Sequence, residues 1–68
     1  MNFAQAMNKL QNFKIVARPS FVNGQYLRLL EGMNLICRCS PLNPQNPLSP
    51  YQLNVDDFNA TDWIEVPA

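Results

Sequence analysis

The residues of this chain that could carry acid–base or metal chemistry are four acids near its C-terminal end. They are Asp56, Asp57, Asp62 and Glu65. Carboxylates at such spacing can hold Mg²⁺ or act as a general acid and base. Helix capping and strand exposure explain the same spacing, and we favour that explanation. The chain has no histidine to activate a serine or threonine, so we expect no enzyme, no metal site and no cofactor.

The cysteines, Cys37 and Cys39, indicate the environment of the chain. A small secreted domain would carry four to eight cysteines, and two thiols alone cannot build a zinc site within one chain. We therefore expect two small, buried apolar side chains on a strand. The N-terminus lacks the basic and apolar regions of a signal peptide, and no stretch approaches the ~20 apolar residues of a membrane span. These features predict a cytoplasmic protein with no membrane partner.

Length and charge limit the function further. With 68 residues and a net charge of zero, the chain predicts a single domain, 1–68, that does not bind long nucleic acids. Such a small core is marginal, which favours a partner subunit. The basic residues all precede position 39, and four of the five acids follow position 55. Either the last strand lies beside the basic strands, or Arg18, Arg28 or Arg38 meets an anionic ligand.

Two short helices must position these groups. Residues 2–12 have apolar side chains at helical spacing, with Asn2 as N-cap and Gln5 three residues later. Residues 54–60 predict one helical turn, with Asn54 as N-cap and Asp57 at a position where an acid favours the helix start. Helices this short do not persist alone in water, so the first helix must dock on something.

The remaining segments predict a small antiparallel sheet. Strands are expected at 14–18, 25–31, 35–39 and 62–66, with turns at 23–24 and 32–34. In the third strand we expect Leu35, Cys37 and Cys39 to face inward and Arg38 outward. Segment 40–50 holds four prolines and predicts a rigid connector, or alternatively an SH3-type ligand. The fold class is α+β: a short N-terminal helix packed on a sheet of about four strands, with one helical turn before the last strand.

Aromatic residues offer the most specific chemistry. Phe21 follows Arg18 closely, and Tyr51 follows the proline-rich connector. Aromatic rings beside a guanidinium could clamp a nucleobase and its phosphates. The alternative is that most of the seven aromatic rings form the core.

The closing segment from Tyr51 to Val66 contains the pattern Asp57-x-x-Ala60-x-Asp62-Trp63. It resembles the closing motif of the phage Thoeris anti-defence sponge family. The opening Asn2-Phe3-Ala4-Gln5-Ala6 and the basic strand ending at Arg18 are similar to that family too. The chain departs from the pattern where Phe21 and Tyr51 replace tryptophan and Asn54 replaces serine.

The resemblance implies a protein that sequesters a cyclic ADP-ribose-type signal or another cyclic nucleotide without cleaving it, in the infected bacterial cell. It also implies a homo-oligomer, a dimer or tetramer with pockets between subunits. Carried over by position, the ligand-binding candidates are Asn2, Phe3, Arg18, Phe21, Tyr51, Asp57, Ala60 and Trp63. Phe21 or Tyr51 would stack a base, Arg18 would meet a phosphate, and Asp57 would accept from a ribose hydroxyl. Asp57 and Trp63 could instead only lock the final turn. The alternative function is a phage anti-CRISPR or other inhibitor that binds a protein.

Overall fold

A computed structural model describes residues 1–32, 34–43, 47 and 49–67. The fold is α+β, as the sequence predicts, with an N-terminal helix, an antiparallel sheet and a short second helix. The elements in chain order are α1 (Phe3–Gln11), β1 (Ile15–Ala17), a 3₁₀ turn (Val22–Gly24), β2 (Tyr26–Leu30), β3 (Leu35–Cys39), β4 (Ser49–Pro50), α2 (Val55–Asn59) and β5 (Ile64–Val66). Over the described residues the sheet has five strands in the order β4-β3-β2-β1-β5, one more than expected.

Helix α1 begins where its capping residues predict. The Asn2 side chain accepts from the Gln5 backbone N–H, and the Gln5 side chain accepts from the Asn2 backbone N–H. The helix ends in a turn in which Lys14 N–H donates to Lys9 C=O and Phe13 has a φ of 61°. Glycine usually occupies that left-handed position, so Phe13 stands there at a conformational cost.

The main core lies between α1 and one face of the sheet. Ala6 and Leu10 of the helix pack with Val16, Leu27 and Trp63, all of them buried. Val16 and Leu27 are direct partners across β1 and β2, so they present their side chains to the same face. The helix therefore docks on the sheet along its apolar stripe, as the periodicity predicts.

The expected facing of β3 is corrected by its register. Arg38 is the partner of Leu27, whereas Cys39 is the partner of Tyr26. Because side chains alternate along a strand, Arg38 shares the helix-covered face, and Cys37 and Cys39 lie on the opposite face. Both cysteines are free and buried, as predicted, but Cys39 packs in a second cluster with Ala17 and Tyr26.

The proline-rich segment contributes β4, the strand that the sequence did not predict. Ser49 and Pro50 pair with Arg38 and Cys37, at one edge of the sheet. Pro50 tolerates this place because an edge strand need not donate every backbone N–H. The SH3-ligand interpretation depends on Pro44, which lies outside the described residues, as does Met33 in the turn predicted at 32–34.

Candidate functional site

The centre of the candidate site is the side chain of Asp57, at the third position of α2. It is 1% exposed. Its carboxylate accepts hydrogen bonds from Arg18 Nη1 at 3.0 Å, from the Tyr51 hydroxyl at 2.9 Å and from the Asn54 backbone N–H at 3.0 Å. Three donors on one buried carboxylate make it the anchor of the surrounding residues.

The local sequence explains how Asp57 reaches this place. Asn54 is the predicted N-cap of α2, and its side chain accepts from the Asp57 backbone N–H at 3.0 Å; the structure adds that Asn54 and Asp57 form a capping box. The indole Nε1–H of Trp63 donates to the Asp57 carbonyl at 3.2 Å. Trp63 is itself almost fully buried, so α2 is tied to the core from both its backbone and its side chains.

Arg18, at the end of β1, is bound by two acids. Its Nη1 donates to Asp57 and its Nε donates to Asp62, each at 3.0 Å. Its guanidinium carbon also lies 5.9 Å from the centre of the Trp63 ring. The hydrogen bonds that Arg18 donates to Asp62, and then to Asp57, raise the pKa of Arg18 above its ordinary value. The predicted proximity of the acidic C-terminal segment to the basic strands is thus confirmed.

The aromatic part of the site is the pair Phe21 and Tyr51. Their ring centres lie 5.7 Å apart with planes tilted by 52°, and Phe21 also meets Trp63 edge-on at 5.9 Å. Both rings of the pair are half-buried. Burial first, and then the hydrogen bond to Asp57, raises the pKa of the Tyr51 hydroxyl to about 12. The phenol is therefore protonated at neutral pH.

The other predicted site residues lie beside this cluster. Phe3 contacts Phe58 at 4.7 Å and Trp63 at 6.5 Å between ring centres. Ala60 ends α2 and packs against the main core, while the Asn2 side chain is occupied by the helix cap. Seven of the eight predicted site residues therefore form one connected region: Phe3, Arg18, Phe21, Tyr51, Asp57, Ala60 and Trp63. The eighth, Asn2, lies beside this region at the start of α1.

Arg38 also lies near this region, although from the sequence it stood out only as one of three arginines that could meet an anionic ligand. It lies on the helix-covered face of the sheet, in the strand next to β4. Its positive charge lowers the pKa of the Tyr51 hydroxyl, against the larger effects of burial and Asp57. The expectation that it faces outward concealed this. Only the register, in which Arg38 is the partner of Leu27, reveals its facing, because cross-strand partners share a face.

Two further properties bear on the chemistry of the site. Within the described part of the chain, no three His, Cys, Asp or Glu residues are grouped as a metal would require. Over the same residues, no helix combines the length and apolarity needed to cross a membrane.

Comparison with known protein families settles the relationship of the chain. The model of the Tad2-like domain, described as the Thoeris anti-defense 2-like domain, matches residues 1–66. The chain belongs to the Tad2-like family. Membership confirms the family inferred from the sequence and supports a phage anti-defence role against Thoeris. No curated protein and no solved structure matches the chain significantly.

Within this Tad2-like domain the candidate residues divide into two groups. Asp57 and Trp63 are buried and hold α2 against the sheet. Phe21 and Tyr51 are only half-buried, although both pack against the main core. The buried group can position other residues, whereas the half-buried group can touch a ligand.

Proposed function

We propose that this Tad2-like domain binds a cyclic nucleotide immune signal, of the cyclic ADP-ribose type or a cyclic oligonucleotide, and sequesters it without cleaving it. Family membership supports an anti-defence role. The observation that carries the proposal is the half-buried Phe21–Tyr51 pair, held beside an anchored charge network. A nucleobase stacked on such a ring gains ~1–3 kcal/mol.

The burial of Asp57 selects between its two candidate roles. A carboxylate that is 1% exposed and already accepts three hydrogen bonds has little room for a ribose hydroxyl. We therefore assign Asp57 and Trp63 to positioning. They fix Tyr51 and the end of β1, and so they hold the two rings in place before the ligand arrives, which lowers the entropy lost on binding.

Sequestration without cleavage fits the chemistry of these side chains. Hydrolysis of a phosphodiester or a glycosidic bond needs a general base close to the reacting atom. The Tyr51 hydroxyl, with its pKa raised to about 12, donates to Asp57 and holds its proton at neutral pH. The Asp57 carboxylate is occupied by its three donors. Capture and retention are therefore the activity that we assign to this cluster.

We also propose that the domain works as a homo-oligomer, a dimer or tetramer, in the cytoplasm of the infected cell. A core of this size is marginal alone. Large apolar side chains remain exposed at Phe58, which is 53% exposed, and at Ile64 of the edge strand β5. Covering such side chains with a second copy would add the apolar burial that a single chain lacks.

A thermal-shift screen tests the proposal. The purified protein is heated with cyclic ADP-ribose isomers and with cyclic di- and trinucleotides, each tested separately. Ligand at a hundred times its Kd stabilises the folded state by about 2.7 kcal/mol, which corresponds to a rise in Tm of about 10–20 °C for a domain of this size. If none of the nucleotides raised the Tm, the proposal would be rejected and a protein-binding inhibitor would be favoured.

Matched ring deletions locate the site in the same assay. Phe21→Leu removes a ring of the proposed pair, whereas Phe13→Leu removes a ring that is exposed at the end of α1. We expect Phe21→Leu to abolish most of the ligand-induced shift and Phe13→Leu to leave it unchanged. Equal loss in both variants would place the ligand elsewhere.

A further inference from the structure

We propose that Arg38, rather than Arg18, holds a phosphate group of the bound nucleotide. The inference rests on the proposed function and names one contact within it. It places the anion of the ligand near Tyr51, over strands β3 and β4, on the face of the sheet that α1 covers.

The hydrogen bonds of Arg18 leave it poorly suited to this task. Its Nε and Nη1 both donate to carboxylates, one of them the buried Asp57. A phosphate would have to compete with two acids that already neutralise the guanidinium. Breaking the contact to Asp57 would also leave a buried carboxylate short of a donor. Arg18 is therefore a structural cation of the fold.

Arg38 lies on the correct side of the sheet to replace it. Its register partners are Leu27 in β2 and Ser49 in β4. Tyr51 follows β4 directly, and its backbone N–H donates to the carbonyl of Ile36 at 2.9 Å. Ile36 and Arg38 are two residues apart on β3 and so face the same way. This arrangement places Arg38 beside the strand that leads to Tyr51, and its positive charge lowers the pKa of the Tyr51 hydroxyl against the larger effects of burial and Asp57.

One buried donor of Arg38 also lacks an acceptor among the described residues. Its Nε is buried, and no side chain or carbonyl of the described residues accepts a hydrogen bond from it. None of the ion pairs formed among those residues includes Arg38. A buried donor without a partner is unfavourable, so a ligand that supplies an acceptor is favoured. The planar fork of arginine fits two phosphate oxygens at once.

The chain provides a matched control in Arg28. The Nε of Arg28 is likewise buried without an acceptor in the described part of the chain. Arg28 pairs with Cys37 in the register and lies on the opposite face, where it lines an open cavity of about 460 Å³ with Tyr26. Removing either arginine deletes the same charge, but of the two only Arg38 pairs with β4, the strand that leads directly to Tyr51.

Isothermal titration of the whole protein with cyclic ADP-ribose isomers and cyclic di- and trinucleotides tests the assignment. We expect Arg38→Gln to weaken binding by about 10- to 100-fold, as the loss of a charged hydrogen-bond partner predicts. Arg28→Gln should change the Kd by less than about twofold, because Arg28 lies on the opposite face of the sheet and replacements at distant sites usually have independent effects. Arg38→Lys keeps the charge without the fork and should recover part of the affinity.

Three results separate the possible errors. If the wild-type protein binds a nucleotide and Arg38→Gln binds it equally well, the assignment of Arg38 is wrong while the proposed function stands. If Arg28→Gln is the variant that weakens, the anion lies on the opposite face. If the wild-type protein binds none of the nucleotides, the proposed function fails and the assignment falls with it. Arg38→Lys decides the question should Arg38→Gln fail to fold.

Discussion

The replacement Asp57→Asn tests whether the buried network holds the fold. An asparagine amide has one oxygen in place of two, and its NH₂ group cannot accept from Arg18, Tyr51 or Asn54. One oxygen can serve two of these three donors, so one donor faces the NH₂ group without an acceptor. Leaving a buried donor without an acceptor costs about 1–3 kcal/mol, and more when the hydrogen bond involves a charged group. We therefore expect the free energy of unfolding to fall by about 2–4 kcal/mol. A 68-residue domain has about 3–10 kcal/mol in total.

The assay is thermal and urea unfolding followed by circular dichroism. The expected loss corresponds to a fall in Tm of about 10–30 °C. Asp62→Asn is the matched control, because Asp62 also pairs with Arg18 but its side chain is 47% exposed. A surface pair of that kind contributes at most about 1 kcal/mol. Equal effects of the two replacements would refute the view that Asp57 is the anchor.

Three further predictions concern other parts of the fold. Phe13→Gly should raise the free energy of unfolding in urea by about 1 kcal/mol, because the φ of 61° at Phe13 suits glycine; a destabilised variant would mean that the Phe13 ring contributes more than its exposure suggests. The pKa of Tyr51 is raised from 10.0 to about 12 in the folded protein, so stability should be fully present below pH 10 and fall as pH rises towards about 12. Tyr51→Phe should flatten this decline in alkaline melts, and an unchanged decline would assign it to other groups. Cys37 and Cys39 should react with a thiol reagent only after unfolding, since both are buried and burial raises the pKa of Cys39; rapid labelling of the native protein would contradict this.

Local chemistry in the sequence was sufficient to predict the helices. Both begin at an asparagine with the third-position partner that completes a capping box, at Asn2 and at Asn54. Such caps depend on residues three apart, which a sequence displays directly. The free, buried cysteines follow from their number and small apolar character.

Properties that depend on register were harder to predict. The alternation in β3 is compatible with either face, and only the pairing of Arg38 with Leu27 shows that Arg38 lies on the face of the sheet that carries the helix. A two-residue strand at Ser49–Pro50 is too short to leave a pattern. Both errors concern long-range pairing, for which a single strand carries little information.

The candidate site shows the same division. The family motif brought Phe21, Tyr51, Asp57 and Trp63 together, and the structure places them in one cluster. Their separate roles could not be predicted, because burial decides which of them can meet a ligand. Asp57 is buried and bonded, whereas Tyr51 is half-buried.

Equilibrium dialysis followed by mass spectrometry of the released nucleotide tests the central claim most directly. The protein is incubated with cyclic ADP-ribose isomers and cyclic di- and trinucleotides, separated from free ligand, and then denatured by heat. Our account predicts that at least one nucleotide is retained, is recovered with its mass and ring intact, and is retained much less by Phe21→Leu. Recovery of a linear product would identify an enzyme, and retention of no nucleotide would reject sequestration.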